Sequence, residues 1–297
     1  MRVVIGGASG FLGSALVDRL TNDGHEVIKL VRRPTNKHNE SQWDPANGQV
    51  DAELIASADV VINLSGAPIA HWPWTAKYRE EILDSRVSAT STLANAIAKS
   101  PKPAVLLSAS GMAHYGSDRG AEVLGESASA GEGFLAVVVH KWEAAATPAI
   151  EAGARVCFLR TSNVLHRKGG LLKPLLPTFK LGIGAIIGNG KQHFALISRA
   201  DWVSAVVFLA ENENCSGPYN LAAPNTNTNA YFTKAMGRAV HRPAFIRAPK
   251  FALTTVAGEL GKEISGSLRV EPEALLRDGF TFQHATVEEI IDAALHD

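Results

Sequence analysis

Gly7-Ala8-Ser9-Gly10-Phe11-Leu12-Gly13 stands between an apolar run at residues 2–6 and a segment at 11–22 in which Phe11, Leu12, Ala15, Leu16 and Leu20 recur at helical spacing. Strand, glycine turn and helix in that order give the three glycines mechanical meaning. Gly7 makes the tight turn, Gly10 lets backbone amides approach a diphosphate, and Gly13 allows the helix to pack closely on the strand. Gly24 then ends the helix, and residues 26–31 form a second strand, so one βαβ unit is complete by residue 31.

Outward from that unit the pattern repeats. Residues 58–64, 104–107 and 154–159 are near-continuous apolar runs, the signature of strands buried on both faces, and residues 75–99 and 133–151 between them are helical. The alternation predicts an α/β fold: a Rossmann-type, doubly wound parallel sheet that binds a dinucleotide. After Arg160 the texture changes, with glycine and proline scattered through residues 166–192. The expected organisation is a dinucleotide-binding domain over 1–160, receiving about 200–222 back into its sheet through a helix at 202–210 and a strand at 219–221. A smaller, interleaved substrate lobe follows over 161–297. In it Asn229 caps a helix from about Ala230, and residues 250–297 are mostly helical with short breaks.

Composition excludes several classes. The 297 residues are 46% hydrophobic and 20% charged, as in an ordinary folded protein, and 29 lysines and arginines balance 29 aspartates and glutamates. No net field draws nucleic acid or an anionic membrane from a distance, although a local basic patch stays open. Cys157 and Cys215 form no CxxC pair, and the ten histidines show neither HxxxH nor HExxH spacing, so no metal site is expected. No apolar stretch is long enough to span a bilayer, and the N-terminus enters a strand without a signal segment; the expectation is a cytoplasmic monomer or homodimer acting on a small molecule.

The second strand ends Leu30-Val31-Arg32-Arg33, where an acidic residue would bond the ribose hydroxyls of NAD. Guanidinium groups there suit a 2′-phosphate instead, so NADP(H) is favoured over NAD(H); two solvated arginines on a turn are the alternative. The glycine-rich run from Gly182 to Lys191 is no phosphate loop, since Ala185 and Gln192 stand where glycine and a hydroxyl are needed. Lys191, Gln192 and His193 in it either meet an anionic substrate group or form a surface loop. Asp201 reads as a helix cap, and no GxSxG elbow exists.

Gly7 to Gly13, Asn63-Leu64-Ser65-Gly66 and Ser108-Ala109-Ser110 together resemble the extended short-chain dehydrogenase/reductase superfamily, in its NAD-dependent epimerase/dehydratase branch. Trp43-Asp44-Pro45, Asp84-Ser85-Arg86, Lys141-Trp142-Glu143, Leu159-Arg160-Thr161 and Gly217-Pro218-Tyr219-Asn220-Leu221 are similar to a subfamily of nucleoside-diphosphate-sugar epimerase-like proteins with a C-terminal domain of unknown function. The resemblance implies that Gly7, Ser9, Gly10, Phe11, Leu12 and Gly13 hold the cofactor, with Asn63, Leu64, Ser65, Gly66, Arg86 and Ser108 beside it. It makes Ser110 the active-site hydroxyl.

One departure stands out. The family's YxxxK motif, counted back from Trp142-Glu143, falls on Val137 and Lys141, and valine shuttles no proton. Tyr115 is then either a substitute proton donor or a packing residue, and Lys141 either a nicotinamide-ribose ligand or a solvated lysine. The reading is an NADP(H)-dependent oxidoreductase or epimerase acting on a small polar substrate such as a nucleotide sugar. Alternatives are an NADP(H)-binding redox sensor or regulator without turnover, and a structural paralogue.

Overall fold

In the computed structural model of the chain, which describes residues 1–225 and 227–297 without the side chains of 252–254, 256, 257 and 259, the apolar runs become parallel neighbours in one sheet. Its strands are β1 (Arg2–Gly6), β2 (Glu26–Val31), β3 (Glu40–Gln42), β4 (Val60–Asn63), β5 (Val105–Gly111), β6 (Val156–Thr161) and β7 (Gly217–Leu221). Their order across the sheet is β3-β2-β1-β4-β5-β6-β7. All six pairings are parallel, giving the doubly wound, Rossmann-like architecture.

Successive side chains of a strand point to opposite faces, and the β-branched residues of β1 and β4 use both. Val3, Ile5, Val60 and Ile62 pack on one side with Leu16 and Leu20 of helix α1 (Phe11–Asn22), and with Trp202 and Val206. Val4 and Val61 pack on the other with Ile55 of α2 (Ala52–Ser57), Leu93 and Ile97 of α3 (Ala76–Ala98) and Leu106. Helix α4 (Phe134–Ala144) lies against α3, and α5 (Thr147–Glu151) follows at Pro148, so the helix expected over 133–151 is two. Strand β3 escapes the sequence pattern because Glu40-Ser41-Gln42 is a polar sheet edge.

A second core gathers Leu172 and Phe179 of α6 (Leu172–Lys180) with Phe194. Phe232 and Met236 of α8 (Asn229–Ala239) and Ile290 of α11 (Val287–His296) complete it. Between α6 and α8 the chain runs through α7 (Arg199–Glu211) and returns to the main sheet as β7. The cap of α8 is one residue earlier than expected: the Thr228 hydroxyl accepts from the Tyr231 amide, and Asn229 is already helical. Helices α9 (Lys250–Ser265) and α10 (Glu273–Arg277) lead to α11. No described helix is long and apolar enough to cross a membrane.

Candidate functional site

In an open parallel sheet the carboxyl ends of the strands part where the chain reverses direction, here between β1 and β4. The register sets Gly6 beside Asn63, Asn63 beside Ser108, Ser110 beside Arg160 and Arg160 beside Asn220, a polar row along that edge. Gly7 adopts φ +79°, and a Cβ there would stand 2.6 Å from the Leu64 carbonyl carbon. A Cβ on Gly13 would run into the Gly7 carbonyl oxygen. The loop is therefore pulled tight between strand and helix, as its spacing predicts.

Helix α1 starts bare. Gly10 has no capping side chain, the first turn has no acidic residue, and among the described residues nothing accepts from the amides of Phe11, Leu12 or Gly13. A helix N-terminus in that state presents both its dipole and its free N–H groups to an anion. Ser9 and Gly10 are exposed, and the Phe11 ring turns away toward His166, 5.7 Å between centroids.

The loop after β4 closes the crevice from the other side. Asn63 is fully buried; it accepts from the Ser65 amide at 3.0 Å and donates to Thr90 Oγ1 at 2.9 Å, where Trp142 Nε1 also donates. Next to Gly66 lies Arg86, 6% exposed, its guanidinium carbon 3.0 Å from where a Gly66 Cβ would be. Its Nη1 donates to the Ile82 carbonyl and its plane lies over Trp142, but among the described residues it has no carboxylate partner and its Nε is unsatisfied. Burial lowers its pKa to about 10. A buried guanidinium without a counter-charge at the Gly66 loop, together with the bare N-terminus of α1, fits the phosphates of a dinucleotide.

The two arginines after β2 differ. Arg33 is held by Glu40, with Nη2 2.9 Å from Oε2, while Arg32 is exposed and has no partner among the described residues. The expected pair of phosphate-binding guanidiniums is therefore one free group and one already engaged.

Ser110 belongs to a buried polar network. Its hydroxyl donates to Glu143 Oε1 at 2.6 Å, and Arg160 grips the same carboxylate with Nε at 2.9 Å and Nη2 at 3.0 Å. Burial alone would raise the Glu143 pKa, but the bonds and charge of Arg160 hold it below the usual carboxylate range. The His114 Nδ1 faces Glu143 Oε2 at 3.8 Å; burial first, then Arg160, lower its pKa to about 4. Ser108 is fully buried and its hydroxyl turns back to the Ala109 carbonyl.

This network bears on two of the sequence readings. Tyr115 is fully buried, donates to Asn220 Oδ1 at 2.7 Å and accepts from Arg160 Nη1 at 3.2 Å, with its pKa raised by burial. A hydroxyl so enclosed, with its bonds satisfied inside the protein, matches the packing alternative for Tyr115. The count that placed the YxxxK positions at Val137 and Lys141 is also out of register. Glu143 marks the face of α4 that looks at Ser110, and residues four and eight before it share that face: Val139 and Leu135. Val139 accordingly lies beside Gly111, whereas Lys141, two residues from Glu143, is exposed on the opposite face with Val137. Both motif positions are apolar.

Sequence reasoning missed Glu143, Asn220 and Glu126, whose carboxylate accepts from the Asn220 and Ala274 amides. The signal was present in Lys141-Trp142-Glu143, a carboxylate on the inward side of an otherwise apolar helix. The Gly182 to Lys191 segment lies in the second lobe; Gln192 donates to the Ile187 carbonyl and the His193 amide to Ser267.

Residues 3–222 match the model of the NAD dependent epimerase/dehydratase family, and residues 248–294 that of a domain of unknown function, DUF1731. The chain belongs to the NAD-dependent epimerase/dehydratase family. It is 40% identical over 293 residues to the epimerase family protein MT2273 of Mycobacterium tuberculosis, covering 98% of this chain and 97% of that one. It is 34% identical to the epimerase family protein SDR39U1 of Bos taurus, covering 98% and 100%. Among solved structures, human SDR39U1, isoform 2, with NADPH superposes with a TM-score of 0.91 at 30% identity over 100% of both chains. The nucleoside-diphosphate sugar epimerase of Corynebacterium glutamicum gives 0.82 at 34% identity, over 99% of this chain and 58% of that one. The family model thus spans the dinucleotide sheet and the Ser110 network, where Leu135 and Val139 face Ser110.

Proposed function

We propose that the chain is an oxidoreductase or epimerase that binds NADP(H) in preference to NAD(H) and acts on a small polar substrate, such as a nucleotide sugar, at Ser110. The observation that carries the reading is the bare N-terminus of α1, with the buried Arg86, which has no carboxylate partner among the described residues, at the Gly66 loop. Gly7 to Gly13 and Asn63 to Gly66 would hold the dinucleotide, and the free Arg32, with no carboxylate at the end of β2, would take the 2′-phosphate. The NADPH of the human relative supports this choice. When bound, the nicotinamide supplies hydride transfer. Because the Ser110 proton points at Glu143, its oxygen offers lone pairs to a substrate hydroxyl, orienting the carbon that exchanges hydride.

A second reading, nicotinamide-nucleotide binding without turnover, draws support from the apolar Leu135 and Val139 and from a Glu143 held anionic by Arg160. Two measurements separate them. NADPH and NADH titrations followed by fluorescence should show Arg32→Ala losing NADPH affinity about tenfold and NADH affinity little; equal losses reject the 2′-phosphate assignment. Stopped-flow hydride transfer against sugar nucleotides and carbonyl compounds should show turnover abolished in Ser110→Ala. Tight NADPH binding with no transfer across the panel favours the second reading.

A further inference from the structure

Charge balances over the whole chain but not over its surface. Residues 161–200 carry six lysines and arginines and residues 214–258 carry five, with no aspartate or glutamate in either segment. The fold lays the two segments together. Residues 185–187 pair with 246–248, a Cβ on Gly182 would stand 3.5 Å from Pro243, and Arg242 Nε donates to the Lys180 carbonyl at 3.2 Å. At this end of the second lobe Leu181 is 73% exposed, Ile183 53% and Phe245 77%. An open cavity of about 620 Å³ is lined there by Phe245 together with Lys234, Arg238, His241 and Arg242. Glu288 of α11 faces it and pairs with Arg238 at 3.0 Å; Lys180, Lys234 and Arg242 have no carboxylate partner among the described residues.

We propose that this end of the second lobe docks on an anionic lipid surface. Leu181, Ile183 and Phe245 enter the boundary between headgroups and acyl chains, and the surrounding cations face lipid phosphates. A second copy of the chain does not fit, because a two-fold contact would set these cations against one another. The three apolar side chains stand on loops, Phe245 at the wall of the open cavity, an arrangement that suits insertion into a fluid layer. Whole-chain neutrality, which argues against long-range attraction to a membrane, conceals this local asymmetry.

The test is sedimentation with vesicles of phosphatidylcholine alone and of phosphatidylcholine with about one-third phosphatidylserine. The wild-type chain should pellet with the anionic vesicles only, and less as salt rises. Two double variants, Leu181→Ser with Phe245→Ser and Lys234→Glu with Arg242→Glu, should each weaken binding at least about tenfold, since one cation near such a surface counts for about fivefold. Leu276→Ser, which removes an exposed leucine elsewhere, should change nothing, and circular dichroism melts should show all three variants folded. No pelleting at low salt, equal pelleting with both vesicles, or full binding by both double variants overturns the proposal. So does binding of polyglutamate without vesicle binding, which would assign the surface to an acidic polypeptide.

Discussion

One methyl group at position 13 tests the crevice directly. The Cβ of Gly13→Ala would meet backbone on both sides, the Gly7 oxygen and, at 2.9 Å, the Ala8 Cα, so α1 has to move. The expected outcome is a loss of NADPH affinity of about tenfold or more and of stability by about 1–3 kcal/mol, read by fluorescence titration and thermal melting. Arg86→Met should behave differently. It removes a buried charge without a partner, so the free protein should melt at an equal or higher temperature while NADPH affinity falls about tenfold; a lower melting temperature with unchanged affinity would make Arg86 a structural residue. His114 provides a pH signature. Its pKa of 6.5 when unfolded falls to about 4 in the fold, so between those values the unfolded chain holds a proton that the folded one refuses. Stability should be level above pH 6.5 and decline as pH drops toward 4, by ~1–2 kcal/mol after solvent screening, and His114→Asn should flatten that slope in urea titrations across pH.

At the scale of elements, α4 has two faces with opposite consequences. Glu143→Gln leaves Arg160 buried without its counter-charge and should destabilise by about 3–5 kcal/mol, whereas Lys141→Ala on the outer face should alter stability and NADPH affinity by less than about 0.5 kcal/mol. Denaturant unfolding and the same titration check both. The contrast also shows where sequence reading stops. Strands β1, β4, β5 and β6 were legible because double burial demands near-continuous apolar runs, and the glycine loop was legible because Gly7 and Gly13 answer to local backbone contacts. The facing of α4 was not. Which side of a largely apolar helix meets Ser110 depends on how α4 packs on α3 and β5, and one contact, Ser110 to Glu143, settles it by two residues. The two alternatives for Tyr115 stayed open in the sequence for the same reason, since its partners Asn220 and Arg160 lie 105 and 45 residues away. Strand β3 carries no apolar signal to read.

For the whole molecule, the question is how the final residues are tied to the dinucleotide fold. Asp201, fully buried in the first turn of α7, accepts from the amides of Gln283 at 2.8 Å and His284 at 2.9 Å and from Ser198 Oγ at 3.1 Å. It is not the helix cap that the sequence suggested, since Ser198 caps α7 and accepts from the Asp201 amide; the Asp201 carboxylate instead clamps the segment leading to α11. Asp201→Asn turns one acceptor into a donor that faces an N–H or O–H and removes the charge from the remaining bonds, which should destabilise the clamp by about 2–3 kcal/mol. Among the described residues the bonds of Asp201 go to Ser198, Gln283 and His284 and not to the glycine loop or Arg86, so the loss should stay local. Hydrogen exchange should speed up in peptides spanning 280–297 while β1, β4 and β5 keep their protection, with NADPH affinity within about twofold of wild type. If sheet and tail lose protection together, the two lobes unfold as one cooperative unit, and the clamp is part of the core that shapes the cofactor crevice.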